Sequence, residues 1–129
     1  MKQKRELREL VAFITAQTGD HLIVSFAVCQ PDDPTDIESL TILRTPKYEG
    51  FLGEWERGAL VSFERDPEND MREILREVVY AFDDKCITLR TDRHTYKLDV
   101  RKVDPSELSA MCRVFRKMNF DSSIQLSGV

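Results

Sequence analysis

Long hydrophobic runs are missing from this chain. The longest mainly apolar stretches are Leu10 to Ala16 and Leu22 to Cys29. Both fall far short of the ~18–20 residues that a helix needs to cross a bilayer, so no membrane association is expected. The N-terminal MKQKRELRELVAFITAQTGD superficially resembles a signal peptide. Glu9 interrupts it, however, its apolar part is too short, and no small-residue cleavage site follows. The mature protein is therefore read as starting here.

Cysteine is equally sparse. Cys29, Cys86 and Cys112 are odd in number, far apart and without CxxC spacing, which excludes a disulfide framework or a zinc knuckle and fits a reducing cytosol. Each lies in an apolar strand or on an apolar helix face, where a cysteine acts as a small buried hydrophobe rather than a nucleophile. There are two histidines, His21 and His94, neither with a ligand at i+2, i+3 or i+4, so no metal site is expected. DPEND (66–70) lacks the calcium-loop pattern. No G-x-S-x-G elbow presents a serine. GFLGEWERG (50–58) lacks GK[ST] or GxGxxG spacing, and its glutamates would repel a phosphate. No catalytic residue and no cofactor is expected.

What is present suffices for one packed core. The chain has 129 residues, of which 41% are hydrophobic and 33% charged, which fits a single α+β domain over 1–129. The formal charge of −4 conceals an asymmetry. Residues 30–77 carry 6 basic and 13 acidic side chains, and residues 85–118 carry 9 and 4. Such a distribution suits either a mixed solvated surface or a two-signed surface for a protein partner. A pI near 5.2, with no Lys/Arg stripe interleaved with aromatics, argues against nucleic acid.

Leu7, Leu10, Val11 and Ile14 recur at helical spacing and Gly19 offers a left-handed stop, which predicts a helix over 3–17. HLIVSFAVC (21–29) reads as a strand buried on both faces. After the acidic loop QPDDPTDIES, strands follow at 39–45 and 59–65. Residues 71–82 fit either a helix opened by an Asp70/Glu73 capping box or a strand. The strand is preferred, because the Asp83-Asp84 turn and the strands at 85–91 and 95–101 would make an antiparallel meander. Asp104 as cap, Pro105 in the first turn and Glu107 completing a capping box predict a helix over 105–118. SSIQLS (122–127) is a short edge strand. The architecture expected is an antiparallel sheet of about six strands, with the N-terminal and C-terminal helices packed on one face.

The residues that stand out are Tyr48, Phe51 and Trp55, because large aromatics on glycine-punctuated loops are the usual anchors of binding surfaces. The alternative is that they fold back over an open end of the sheet. Asp32, Asp33 and Asp36 in the acidic loop are the charged candidates.

The order of elements carries a resemblance. A strand ending in TILR is followed by GALVSFE, a hairpin across EVVYAFDDKCITLR, then YKLDV and a helix SELSAMCRVFRKM. Over about residues 21–118 this resembles small, mostly β immunity proteins of bacterial polymorphic-toxin systems. Proteins of that family bind and neutralise a cognate toxin and catalyse nothing, so the resemblance implies a cytoplasmic inhibitor with one protein partner. No functional residue is carried over from it. The expected function is a non-enzymatic protein-binding module using loops 30–38 and 48–57. One alternative is a small-molecule binding protein or enzyme with a pocket between sheet and helices. Another is a self-associating structural or regulatory protein, such as a homodimer paired through the N-terminal helix or the 122–127 edge.

Overall fold

A computed structural model describes residues 5–30, 32–33, 35–53, 56–64 and 72–129. Within them, β1 (Arg5–Gln17), β2 (Leu22–Cys29), β3 (Ile37–Arg44) and β4 (Leu60–Phe63) form one run of strands. β5 (Leu75–Ala81), β6 (Cys86–Thr91) and β7 (His94–Asp99) form a second. The short helix α1 (Pro46–Glu49) lies between β3 and β4. The long helix α2 (Pro105–Met118) and then β8 (Gln125–Ser127) follow β7.

The strands make one mixed sheet in the order β4-β3-β2-β1-β7-β6-β5-β8. Most neighbours are antiparallel, but β1 runs parallel to β7 and β5 runs parallel to β8. This overturns the expected six-stranded antiparallel sheet carrying two helices. There is one long helix, and residues 5–17 are a strand.

A bulge explains the misleading period in β1. Val11 pairs with Val28 and Phe13 with Ala27, so the register slips by one residue at Ala12. Because a strand alternates faces with period 2, one inserted residue reverses the alternation. Val11 and Ile14, three apart, therefore both face the core, while Phe13 is exposed. A three-residue step between apolar positions is also the signature of a helix. The helix-forming Leu, Glu, Ala and Arg of this segment are a weak preference that sheet pairing on both edges overrides.

β1 joins the two halves of the sheet. Arg5–Leu10 pair with β7, and Val11–Gln17 pair with β2. Beyond Leu10 the edge facing β7 is open, and the Ile14 amide there donates to Glu107 Oε1 at 2.8 Å. Glu107 is thus engaged by β1. At the start of α2, the Asp104 side chain accepts from the Ser106 amide at 2.9 Å. The helix is where the sequence places it, but its capping box is replaced by a single cap and a tertiary clamp.

The sheet curls until its β4 end meets the segment leading into β5. The Val61 amide donates to Glu73 O at 2.8 Å, and the Leu75 amide donates to Ala59 O at 2.9 Å. At this seam a Cβ on Gly58 would stand 2.9 Å from Ile74 Cγ2, and Gly58 has φ +138°; only glycine fits both constraints. Inside the curl lie Val24, Phe26, Ile42, Leu89, Tyr96 and Leu98, all fully buried. Val11, Ile14, Met111, Phe115 and Met118 belong to the same cluster, so α2 packs on β1 and β2. The pattern of β2 is largely alternating, with Ile23, Ser25 and Cys29 half-buried on the outer face; it is not buried on both faces along its length.

Candidate functional site

Arg44 ends β3 and is 1% exposed, and a buried guanidinium must have its donors satisfied. It does. Nε and Nη2 donate to Glu49 at 2.7 and 2.9 Å. Nη1 and Nη2 donate to Asp121 at 3.0 and 2.7 Å, and Nη1 also donates to the Met118 carbonyl at 2.7 Å. Burial alone would lower the arginine's pKa, but the bonds to Glu49 and Asp121 outweigh it and hold the pKa above its usual value. The same bonds, first among them those from Arg44, hold Asp121 well below the ordinary carboxylate value of 3.8. One side chain thereby ties β3 to α1 and to the end of α2.

One exposed aromatic lies on this hub, and two more lie on the segment next to Glu49. The Phe120 ring lies against the guanidinium, 4.2 Å from carbon to centroid, yet Phe120 is 57% exposed. Tyr48, next to Glu49, is 50% exposed, and Phe51, just beyond α1, is 88% exposed. Pro46 at the start of α1 and the Glu49–Arg44 pair fix the segment that carries Tyr48. Tyr48 and Phe51, both drawn from the sequence, are therefore exposed on the segment that Glu49 ties to Arg44, and Phe120, which sequence reasoning passed over, lies on the same guanidinium. Trp55 lies outside the described residues.

The acidic candidates are elsewhere. Cys29 pairs with Ile37 and Leu22 with Arg44, so the acidic loop and the aromatic segment occupy opposite ends of the β2–β3 hairpin, separated by roughly 24 Å of strand. Asp33 Oδ1 accepts from the Thr35 amide and hydroxyl at 3.0 and 2.6 Å, which lowers its pKa. Asp36 Oδ2 accepts from Gln30 Nε2 at 3.0 Å. Asp32 is exposed. The two sets do not form one surface.

A second polar cluster has catalytic residue types but no access. Glu73 Oε2 accepts from Thr91 Oγ1 at 2.7 Å and from Tyr96 Oη at 2.8 Å, with His94 Nδ1 at 3.1 Å. All four residues are buried. Glu73, on the seam between β4 and β5, has an internal partner for each neighbouring donor, which makes the cluster a structural pin.

Cys29, Cys86 and Cys112 are free and half-buried, not sealed in the core as their apolar neighbours suggest. His21 Nδ1 is 2.9 Å from Thr45 Oγ1. Among the described residues no group of three His, Cys, Asp or Glu could hold a metal ion, and no helix is long and apolar enough to cross a membrane. No protein-family model matches the chain, and neither a curated protein nor a solved structure matches it.

Proposed function

We propose that the protein is a non-enzymatic binding module that contacts a protein partner through Tyr48, Phe51 and Phe120. The observation that supports this is that Phe120 lies exposed on a fully bonded buried arginine, while the segment carrying exposed Tyr48 and Phe51 is tied to the same arginine through Glu49. Rings held by a rigid base lose little freedom on binding and bury large apolar area, which is how interface anchors gain affinity. An immunity-type inhibitor of a toxin is the finer form of this reading, and it rests on the resemblance of residues 21–118. A cytosolic setting belongs to the same proposal and is supported by three unpaired thiols.

The test is capture from native lysate by wild type, by Tyr48→Ala/Phe51→Ala and by Asp32→Asn/Asp33→Asn/Asp36→Asn, with thermal melts confirming that each is folded. A dominant protein retained by wild type and by the aspartate variant, but lost with the aromatic variant, is the expected result. Loss with the aspartate variant alone would move the interface to the other end of the hairpin. Equal retention by all three would end the proposal.

A further inference from the structure

A groove of about 590 Å³ lies between one face of α2, from Pro105 to Arg116, and the turn joining β5 to β6. Its floor is apolar, formed by Val100, Val103 and Leu108, with Cys112 beside them. Its wall is aromatic: Tyr80 and Phe82 have ring centroids 6.0 Å apart, and Phe82 is 64% exposed. Its rim is cationic, from Lys85, Arg101, Arg113 and Arg116; no Asp or Glu side chain lines it, and the one other charged group there is the terminal carboxylate of Val129.

The charge is only partly compensated. Arg101 shares Asp99 at 3.2 Å, but among the described residues Lys85, Arg113 and Arg116 have no carboxylate partner. Lys85 instead has its ammonium over the Phe82 ring at 4.1 Å. Arg113 and Arg116 are exposed and lie one helical turn apart on one face. Three cations without a carboxylate side-chain partner on one groove, in a chain of net charge −4, make a local positive potential that attracts an anion. A single carboxylate would neutralise one of them, whereas a di- or triphosphate matches all three and suits guanidinium forks. The aromatic wall and apolar floor are surplus to a bare phosphate and fit a flat ring. The volume is that of a small-molecule site.

We propose that this groove is a second binding site, for a small polyphosphorylated ligand that carries a flat ring, the chemistry of a nucleoside di- or triphosphate. Phosphates lie along Arg113, Arg116 and Lys85, and the ring lies on the Tyr80–Phe82 wall. This site is independent of the aromatic surface at Arg44.

The experiment is calorimetric titration of the full chain with adenosine triphosphate, pyrophosphate, adenosine and a short single-stranded oligonucleotide. It is repeated on Arg113→Glu/Arg116→Glu and on Phe82→Ala; all three substituted residues are exposed, so the core is undisturbed. The nucleotide is expected to bind at least about tenfold tighter than pyrophosphate, and to lose affinity as salt rises. Charge reversal should abolish both, while Phe82→Ala should remove the tenfold advantage and leave pyrophosphate unchanged. In unmodified protein, saturating nucleotide should slow alkylation of Cys112, read residue by residue by mass spectrometry, and leave Cys29 unaffected. Nucleotide binding no tighter than pyrophosphate would overturn the ring subsite. Binding that survives charge reversal, or no binding at millimolar ligand, would overturn the site, and tighter oligonucleotide binding would overturn the small-molecule assignment.

Discussion

Arg44 and Asp121 meet through two hydrogen bonds of 3.0 and 2.7 Å, although 76 residues of chain lie between them. Their pairing, with Glu49 on the other edge of the guanidinium, anchors the site on which Phe120 lies.

Removing the arginine strands a buried carboxylate. Arg44→Met leaves Glu49, 8% exposed, without its partner, and breaking one side of a buried pair costs about 3–5 kcal/mol. Urea unfolding should show that loss, whereas Asp121→Asn, whose side chain is 39% exposed, should cost far less. Because Asp121 is depressed below 3.8 in the folded protein, its contribution is complete above that value. It is lost as pH falls through the lower folded value. The difference in stability between wild type and Asp121→Asn should therefore be constant at neutral pH and shrink only in strong acid.

Glu107 serves β1 rather than its own helix. Glu107→Ala leaves the part-buried Ile14 amide without its acceptor, a loss of about 1–3 kcal/mol. Hydrogen exchange should report it at Ile14 more strongly than in the first turn of α2, where Asp104 still caps. Faster exchange confined to the helix would contradict this assignment.

The third prediction concerns the sheet edge. Gly128 has φ +74°, and a Cβ there would sit 2.3 Å from the Tyr80 carbonyl oxygen. Gly128→Ala should loosen β8 from β5 and lower stability by about 1–2 kcal/mol or more, from strain and the lost close approach together. The same substitution at Gly50, where nothing lies within 4 Å and the backbone is right-handed helical at φ −62°, should be neutral or slightly stabilising.

The legible parts of the fold are those set by neighbours in sequence. The Asp83-Asp84 turn decided correctly that 75–81 is a strand, and Asp104 with Pro105 located α2. What was hidden depends on distant partners. Nothing local says that Arg5–Leu10 will meet His94–Asp99 in parallel, and without that pairing a bulged strand and an amphipathic helix give the same apolar spacing. The site divides in the same way. Tyr48 and Phe51 are visible as aromatics beside a glycine, but the guanidinium on which Phe120 lies comes from β3, far away in sequence. The charge excess of residues 85–118 was countable; that four of its cations share one groove follows from α2 lying against the β5–β6 turn.

The double allegiance of β1 bears on the order in which the molecule can assemble. Strands β2 to β4 and β5 to β7 can each zip up as local meanders, but the first half of β1 has no mate until His94–Asp99, the seventh strand, is in place. Parallel closure over such a span is intrinsically slow. During synthesis, then, an unfinished ladder beside Arg5–Leu10 stays open until His94–Asp99 has been made. That is the interval in which the growing chain is most exposed to mispairing with a neighbour.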